Sequence, residues 1–217
     1  GLPWAGIGLG ADGLTTDRGR SQVRRMLTGH TAIAVRDEAS FDALKALGVE
    51  RIVRAADLAF LAEVPQVSGD GVLGVCLRAP QSGRFRPGAL DNGHRWRDGQ
   101  AASMATALDD TASATGLTVR FLAFDARSDG VVHRQVAERM TTAAEVVEPE
   151  LDGVVAALAR VDAMATMRYH GAVLAALGGA GVVVLPFSPK LRSIADDLGP
   201  GATVLDDVDT GLASAVA

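Results

Sequence analysis

Short apolar runs alternate along this chain with longer segments in which apolar residues recur every three or four positions, so it reads as strands alternating with helices. After a glycine-rich opening, the pattern predicts a helix over 16–28 stopping at Gly29, then a strand over 31–35 (TAIAV). Asp37 is an N-cap for a helix over 38–47, whose Phe41, Leu44 and Leu47 share one face and whose stop is Gly48. A short strand follows over 51–54. Pro65, Ser68, Gly69, Asp70 and Gly71 then make the strongest linker signal in the chain, and the domain boundary is set between 66 and 67.

The alternation restarts beyond it. Strands are expected over 72–77, 117–124, 144–147, 163–167, 181–185 and 203–205. The helices between them run over 96–115 (ending at Gly116), over 130–140 (capped by Ser128 or Asp129), over 151–159 and over 169–177. Another is opened by Ser188 with Pro189 at its first position and runs to Leu198. This is an α/β chain with Rossmann-like parallel sheets. Residues 67–217 hold about five strand–helix units, enough for a complete domain of that kind, whereas 1–66 hold too few strands and read as the latter part of a similar one.

Composition narrows the picture. The 217 residues are 48% hydrophobic and 22% charged, which excludes wholesale disorder. Twenty-one basic against 26 acidic residues, a net charge of −5, argues against nucleic-acid binding through bulk charge. One cysteine, Cys76, leaves no disulfide framework and no cysteine-based zinc cluster, and fits a reducing compartment. No apolar run reaches the ~20 residues of a membrane span. There is neither a signal-peptide pattern nor an initiator Met, so the chain is expected to begin partway into a longer protein.

Ligands of open parallel sheets bind outside the carboxyl ends of the strands, where helix N-termini favour anions. Three predicted strand exits deliver Arg78, then Arg168-Tyr169-His170-Gly171, then Phe187-Ser188-Pro189-Lys190 to one rim. In an acidic protein this local cluster points to a small, multiply charged anion, with arginines as forked donors. Other signals carry less. The run Gly6-Ile7-Gly8-Leu9-Gly10 fails the dinucleotide fingerprint, because Gly13 is misplaced and no complete strand precedes it. His30, His94 and His133 are scattered over loops and helix faces without metal-ligand spacing, so no metal is invoked. Asp109-Asp110, Asp196-Asp197 and Asp206-Asp207 read as solvated helix ends, and Trp96 and Met104 as core.

The exit segments Met167-Arg168-Tyr169-His170-Gly171-Ala172 and Pro186-Phe187-Ser188-Pro189-Lys190 resemble the "R-x-H-G" and "Y-x-P-K" segments of the polysaccharide pyruvyl transferase family. Val35-Arg36-Asp37-Glu38-Ala39-Ser40 with Leu44 and Leu47-Gly48-Val49 is similar to its "V-R-D-x-x-S…L…L-G-V". Asp57-Leu58-Ala59-Phe60 resembles its "D-P-A-F", Gly6-Ile7-Gly8 its glycine-rich strand exit, and Gly74-Val75-Cys76-Leu77-Arg78 the strand opening its second domain. The similarity runs in order over nearly the whole chain, with Tyr169 for leucine, Phe187 for tyrosine and Leu58 for proline.

The resemblance implies a GT-B-like architecture with an incomplete first domain, acceptor side first and anionic donor side second. It implies a bacterial, cytoplasmic enzyme, free or peripheral at the inner face of the membrane and with room for an oligomer. That enzyme uses no cofactor and transfers the enolpyruvyl unit of phosphoenolpyruvate to a cell-wall or exopolysaccharide sugar as a ketal. Arg168 and Arg78 would bind the donor's phosphate and carboxylate, helped by the first-turn amides of the Tyr169 helix and by Ser188 and Lys190. His170 would be the general acid, since imidazole titrates near neutrality. Arg36 either faces the donor or pairs with Asp37 or Glu38. Two rivals share the fold: a nucleotide-sugar glycosyltransferase, and a non-catalytic glycan- or partner-binding chain.

Overall fold

In the computed structural model, which describes residues 5–11, 14–28, 32–66, 69–79, 96–186 and 189–217, the described residues form nine strands and eight α-helices. They fall into two units, Gly1–Ala62 and Glu63–Ala217. The division lies four residues before the expected boundary at 66/67. Residues just before that boundary already belong to the second unit: the Gln66 side-chain amide donates to the Leu177 carbonyl at 3.2 Å.

The first unit is a three-stranded parallel sheet, β1 (Ala5–Leu9), β2 (Ala32–Val35) and β3 (Ile52–Arg54), in that order. Helices α1 (Asp17–Leu27) and α2 (Glu38–Ala46) connect the strands, and a 3₁₀ turn over Leu58–Leu61 follows β3. Polar caps set the helix starts. Thr16 accepts the Gly19 amide, and Asp37 accepts the Ser40 amide at 2.7 Å. Leu27, Ile33, Val35, Leu44 and Val49 form this unit's core, with Val23 and Phe41 packed against it. Ile7 and Val53, which alternate with the core positions along their strands, are exposed.

The opening corrects the sequence reading. Gly6-Ile7-Gly8 lies inside a strand, not at its exit, and pairs in parallel with β2. Gly8 has φ +68°, which a β-branched residue rarely adopts, and the register shifts between Gly6 and Leu9. An irregular, glycine-broken strand carries no two-residue alternation, which is why it was missed.

The second unit holds β4 (Val72–Cys76), α3 (Asp98–Thr115), β5 (Thr118–Leu122), α4 (Asp129–Ala137), β6 (Ala144–Val147) and α5 (Leu151–Leu158). It continues with β7 (Ala163–Thr166), α6 (Tyr169–Leu177), β8 (Gly181–Val184), α7 (Pro189–Leu198), β9 (Ala202–Val204) and α8 (Val208–Val216). All six strands are parallel, in the order β6-β5-β4-β7-β8-β9. The chain winds outward from β4 to β6, then crosses back to β7 and winds the other way. The order therefore reverses between β4 and β7, the place where doubly wound sheets bind ligands.

Every residue of β4 and of β7 is buried, as expected of central parallel strands. Leu73, Val75, Phe121 and Leu108 anchor one face of the core under α3, α4 and α8. Burying a side chain of that size stabilises by roughly 1.5–3 kcal/mol. Met104 is core, as read from sequence. Asp109 is not a solvated helix end: its carboxylate takes amide and hydroxyl bonds from both Thr141 and Thr142 at 2.6–2.9 Å, tying α3 to the segment before β6. Burial raises its pKa and those bonds outweigh it, leaving it at about 2. No described helix is long and apolar enough to cross a membrane.

Candidate functional site

The exits of β4 and β7 are neighbours at the switch point. Cys76 pairs with Thr166 across the two strands, so the residues that follow them, Arg78 and Arg168, emerge side by side. Arg78 is half-buried. Burial, and then repulsion from Arg168, lower the affinity of its guanidinium for its proton, so the two cations feel each other. The arginines predicted at these two exits are thus brought together.

Arg168 is held from both ends. Its amide donates to Thr166 Oγ1 at 2.9 Å, and that hydroxyl donates back to the Arg168 carbonyl at 3.1 Å. Its guanidinium meets the Asp129 carboxylate side-on, through Nε at 3.1 Å and through Nη2. Nη2 also lies 3.5 Å from Ser128 Oγ. Burial pulls the Arg168 pKa down, and the bond and charge of Asp129 outweigh it, so it is raised. Among the described residues Nη1 takes no partner, and the side chain keeps 23% exposure, so one edge of the fork stays available to a ligand.

Asp129 is the residue that sequence reasoning missed. Its side chain is fully buried at the first position of α4, where Ser128 is the N-cap and makes no side-chain cap bond. The sequence offers Ser128 or Asp129 as the cap, because either residue at a helix start ordinarily caps. Asp129 instead accepts the Asp125 amide at 3.1 Å and serves as the counter-ion of Arg168. Asp125 takes the Ser128 hydroxyl at 2.8 Å, which holds its carboxyl below the usual range. Beneath this layer the Cys76 thiol is pushed upward, by burial first and by Asp129 second, which makes it inert.

His170 and Tyr169 open α6. Tyr169 is buried, so its contribution to the rim is its backbone amide, while His170 is exposed and stands edge-on to the Tyr169 ring at 5.6 Å. Gly171 explains itself sterically. A Cβ there would lie 2.6 Å from Thr166 Oγ1, the hydroxyl that fixes the Arg168 backbone. Ser188 and the side chain of Lys190 lie outside the described residues.

His133, one of the histidines scattered over loops and helix faces, is fully buried on α4 with Phe121 5.2 Å away. Its Nε2 lies 2.9 Å from the Leu77 amide nitrogen and 3.2 Å from the Leu77 carbonyl oxygen, and accepts from the first or donates to the second according to its tautomer. Burial lowers its pKa to about 4, so the ring is neutral at pH 7. Among the described residues no group of three His, Cys, Asp or Glu is placed to hold a metal ion.

In the first unit Arg36 takes the ion-pair alternative. Its Nη1 lies 3.0 Å from Asp57 Oδ2 and its Nε 3.4 Å from Asp37 Oδ2, while Glu38 pairs with Arg54 at 3.2 Å. Ser40, whose amide Asp37 caps, accepts the Ala11 amide at 2.8 Å. The V-R-D-x-x-S and D-x-A-F segments therefore form one network that ties together the exits of β1, β2 and β3.

Three solved structures share the fold. An accessory secretory protein 1, 2 and 3 structure from Streptococcus pneumoniae matches at TM-score 0.59 and 13% identity, over 90% of this chain and 38% of its own. The glycosylation-associated Gap123 complex from Streptococcus agalactiae matches at TM-score 0.58 and 10% identity, over 91% and 40%. A UDP-glucose: anthocyanidin 3-O-glucosyltransferase bound to UDP matches at TM-score 0.51 and 13% identity, over 92% and 46%. The chain thus spans less than half the length of each, and shares with them the parallel α/β architecture of GT-B glycosyltransferases. No curated protein is matched. The family profile described as polysaccharide pyruvyl transferase matches residues 5–189, which takes in both units and every motif above except the last residue of the α7 start, and on that match the chain belongs to the polysaccharide pyruvyl transferase family.

Proposed function

We propose that the β4–β7 rim binds phosphoenolpyruvate and that the chain is part of an enzyme transferring its pyruvyl unit to two hydroxyls of a polysaccharide sugar. The observation that carries the reading is the juxtaposition of Arg78 and Arg168 at the switch point, with one edge of the Arg168 fork unoccupied. Phosphoenolpyruvate carries a phosphate and a carboxylate on the same carbon, C2, which suits two neighbouring guanidiniums. In this reading the first unit serves the acceptor and the second the donor. Lys190, Ser188 and the first-turn amides at Tyr169 complete the anion site. Arg36, engaged by two carboxylates, stays with the scaffold of its own unit.

His170 is the proton donor. Its imidazolium protonates the methylene carbon, the C=C electrons form the new C–H bond, and C2 becomes an oxocarbenium. The first sugar hydroxyl adds to C2 and loses its proton. The C2–O bond to phosphate then breaks, inorganic phosphate leaves, and the second hydroxyl closes the ketal. Of the two hydroxyl protons, one restores His170 and the other leaves with phosphate.

Thermal melting with phosphoenolpyruvate, with inorganic phosphate and with a nucleotide-sugar tests the donor. A ligand at about 100 times its dissociation constant stabilises by ~2.7 kcal/mol. Stabilisation by phosphoenolpyruvate that Arg78→Ala abolishes supports the reading; stabilisation by the nucleotide-sugar alone turns it to a glycosyltransferase. With a glycan acceptor added, His170→Ala retains phosphoenolpyruvate binding and loses phosphate release.

A further inference from the structure

Helix α4 touches both arginine-bearing exits, and with different residues. Asp129 holds the Arg168 guanidinium. One turn later on the same face, His133 Nε2 bonds the backbone of Leu77, the residue immediately before Arg78, lying 2.9 Å from its amide nitrogen and 3.2 Å from its carbonyl oxygen. The carbonyl of Arg78 itself accepts the Trp96 indole N–H at 3.0 Å. Trp96 is in turn clamped by Gln135 of α4, which accepts its amide at 3.0 Å and donates to its carbonyl at 2.8 Å. The peptide unit before the Arg78 Cα carries the Leu77 carbonyl, 3.2 Å from His133 Nε2, and the unit after it carries the Arg78 carbonyl, so α4 reaches both, one directly and one through an indole.

The His133 contact is costly to maintain for stability alone. The ring is wholly buried, and its Nδ1 has no hydrogen-bond partner, so in either tautomer one buried ring nitrogen is left unsatisfied. An apolar side chain in this place, beside Phe121, would remove that orphan. What the imidazole does and an apolar residue cannot is hydrogen-bond the backbone of the last residue before Arg78.

We propose that His133 is a positioning residue: by holding Leu77, with Gln135 and Trp96 holding the other side, it sets the separation of Arg78 from Arg168, and so tunes the rim to a ligand bearing two anionic groups. The claim rests on the donor reading above and deepens it. A displacement of even about 1 Å at a binding group can cost far more than the lost bond itself.

Trp96 reports the geometry, and replacing Trp4 by Phe leaves it the sole tryptophan of the 217-residue chain. In that background His133→Phe keeps ring volume but removes the hydrogen bond to Leu77, whereas His133→Gln places a side-chain amide, with both an acceptor and a donor, near the position of Nε2. Expected for His133→Phe are a shifted Trp96 emission, a dissociation constant for phosphoenolpyruvate raised by about tenfold or more, and a smaller loss for inorganic phosphate, which offers one anionic group instead of two. His133→Gln is expected to restore emission and affinity to near the starting chain, and Trp96→Phe to weaken phosphoenolpyruvate less than His133→Phe does. A His133→Phe chain that binds phosphoenolpyruvate as tightly as the parent overturns the inference alone, whether or not the emission moves. So does one in which both ligands weaken equally and Gln fails to rescue. A parent chain that binds neither ligand overturns the donor reading and this inference together.

Discussion

Each unit ends its parallel sheet in an arginine paired with aspartate, and the two arrangements differ in what they leave over. Arg36 meets two carboxylates, Asp37 at 3.4 Å and Asp57 at 3.0 Å, both nearly buried. Arg168 meets one buried carboxylate along one edge, with the Asp125 carboxylate bonded to Ser128 and farther out in its field, and beside it stands a second arginine. The first arrangement is negative overall and redundant, as a clasp between three strand exits should be. The second keeps donor capacity on the solvent side of a buried counter-ion, as an anion site requires. The residue type after the strand is the same; its neighbours decide whether it is scaffold or site.

Removing one acid from each separates the two most sharply. Asp129→Ala strips Arg168 of its buried partner and is expected to cost about 3 kcal/mol in urea unfolding. Asp57→Ala leaves Arg36 with Asp37 and is expected to cost about 1 kcal/mol. Replacing the second-unit pair together, Asp129→Leu with Arg168→Met, should recover most of the stability without recovering anion binding. Equal losses for the two single variants would erase the distinction.

Acid should act on the second unit. The described histidines lie there, and His133 is neutral in the fold, with a pKa of about 4 against 6.5 when exposed. Between those values the unfolded chain binds the extra proton, so stability falls as pH drops from 6.5 towards 4, by up to about 3 kcal/mol. Above pH 6.5 this contribution is flat. His133→Gln should remove that slope from unfolding curves recorded across the range.

Arg78→Ala should raise the phosphoenolpyruvate dissociation constant by about 10- to 100-fold, the loss expected for a hydrogen bond to a charged group, with little change in melting temperature. Arg36→Ala should do the reverse, lowering stability while leaving affinity alone. Gly171→Ala should fall between these patterns. Its Cβ would force Thr166 Oγ1 away from the Arg168 amide, at a cost of about 1–3 kcal/mol together with weaker binding.

The regular elements were legible because their signals are local. Gly181–Val184 is an uninterrupted apolar strand, and the expected spans of α6 and β6 coincide with the observed ones. The irregular β1 carried no period to read. The positions of Arg78 and Arg168 followed from strand exits and the reversal of strand order, which a pattern of alternating elements implies. Asp129 and His133 were not legible, because a helix-start aspartate and a helix-face histidine look the same whether they are solvated or packed beneath a site. Only the pairing of β4 with β7, across some 90 residues of sequence, brings α4 under both exits. Arg36 was legible as an alternative, and Asp57, the partner that settles it, lies 21 residues away.

Calorimetric titration of phosphoenolpyruvate into the chain, its Arg78→Ala variant and its Arg36→Ala variant tests the central claim most directly. The account predicts a single site, weakened by about tenfold or more in Arg78→Ala and unchanged in Arg36→Ala. Binding that survives Arg78→Ala intact, or that disappears with Arg36→Ala, would contradict it.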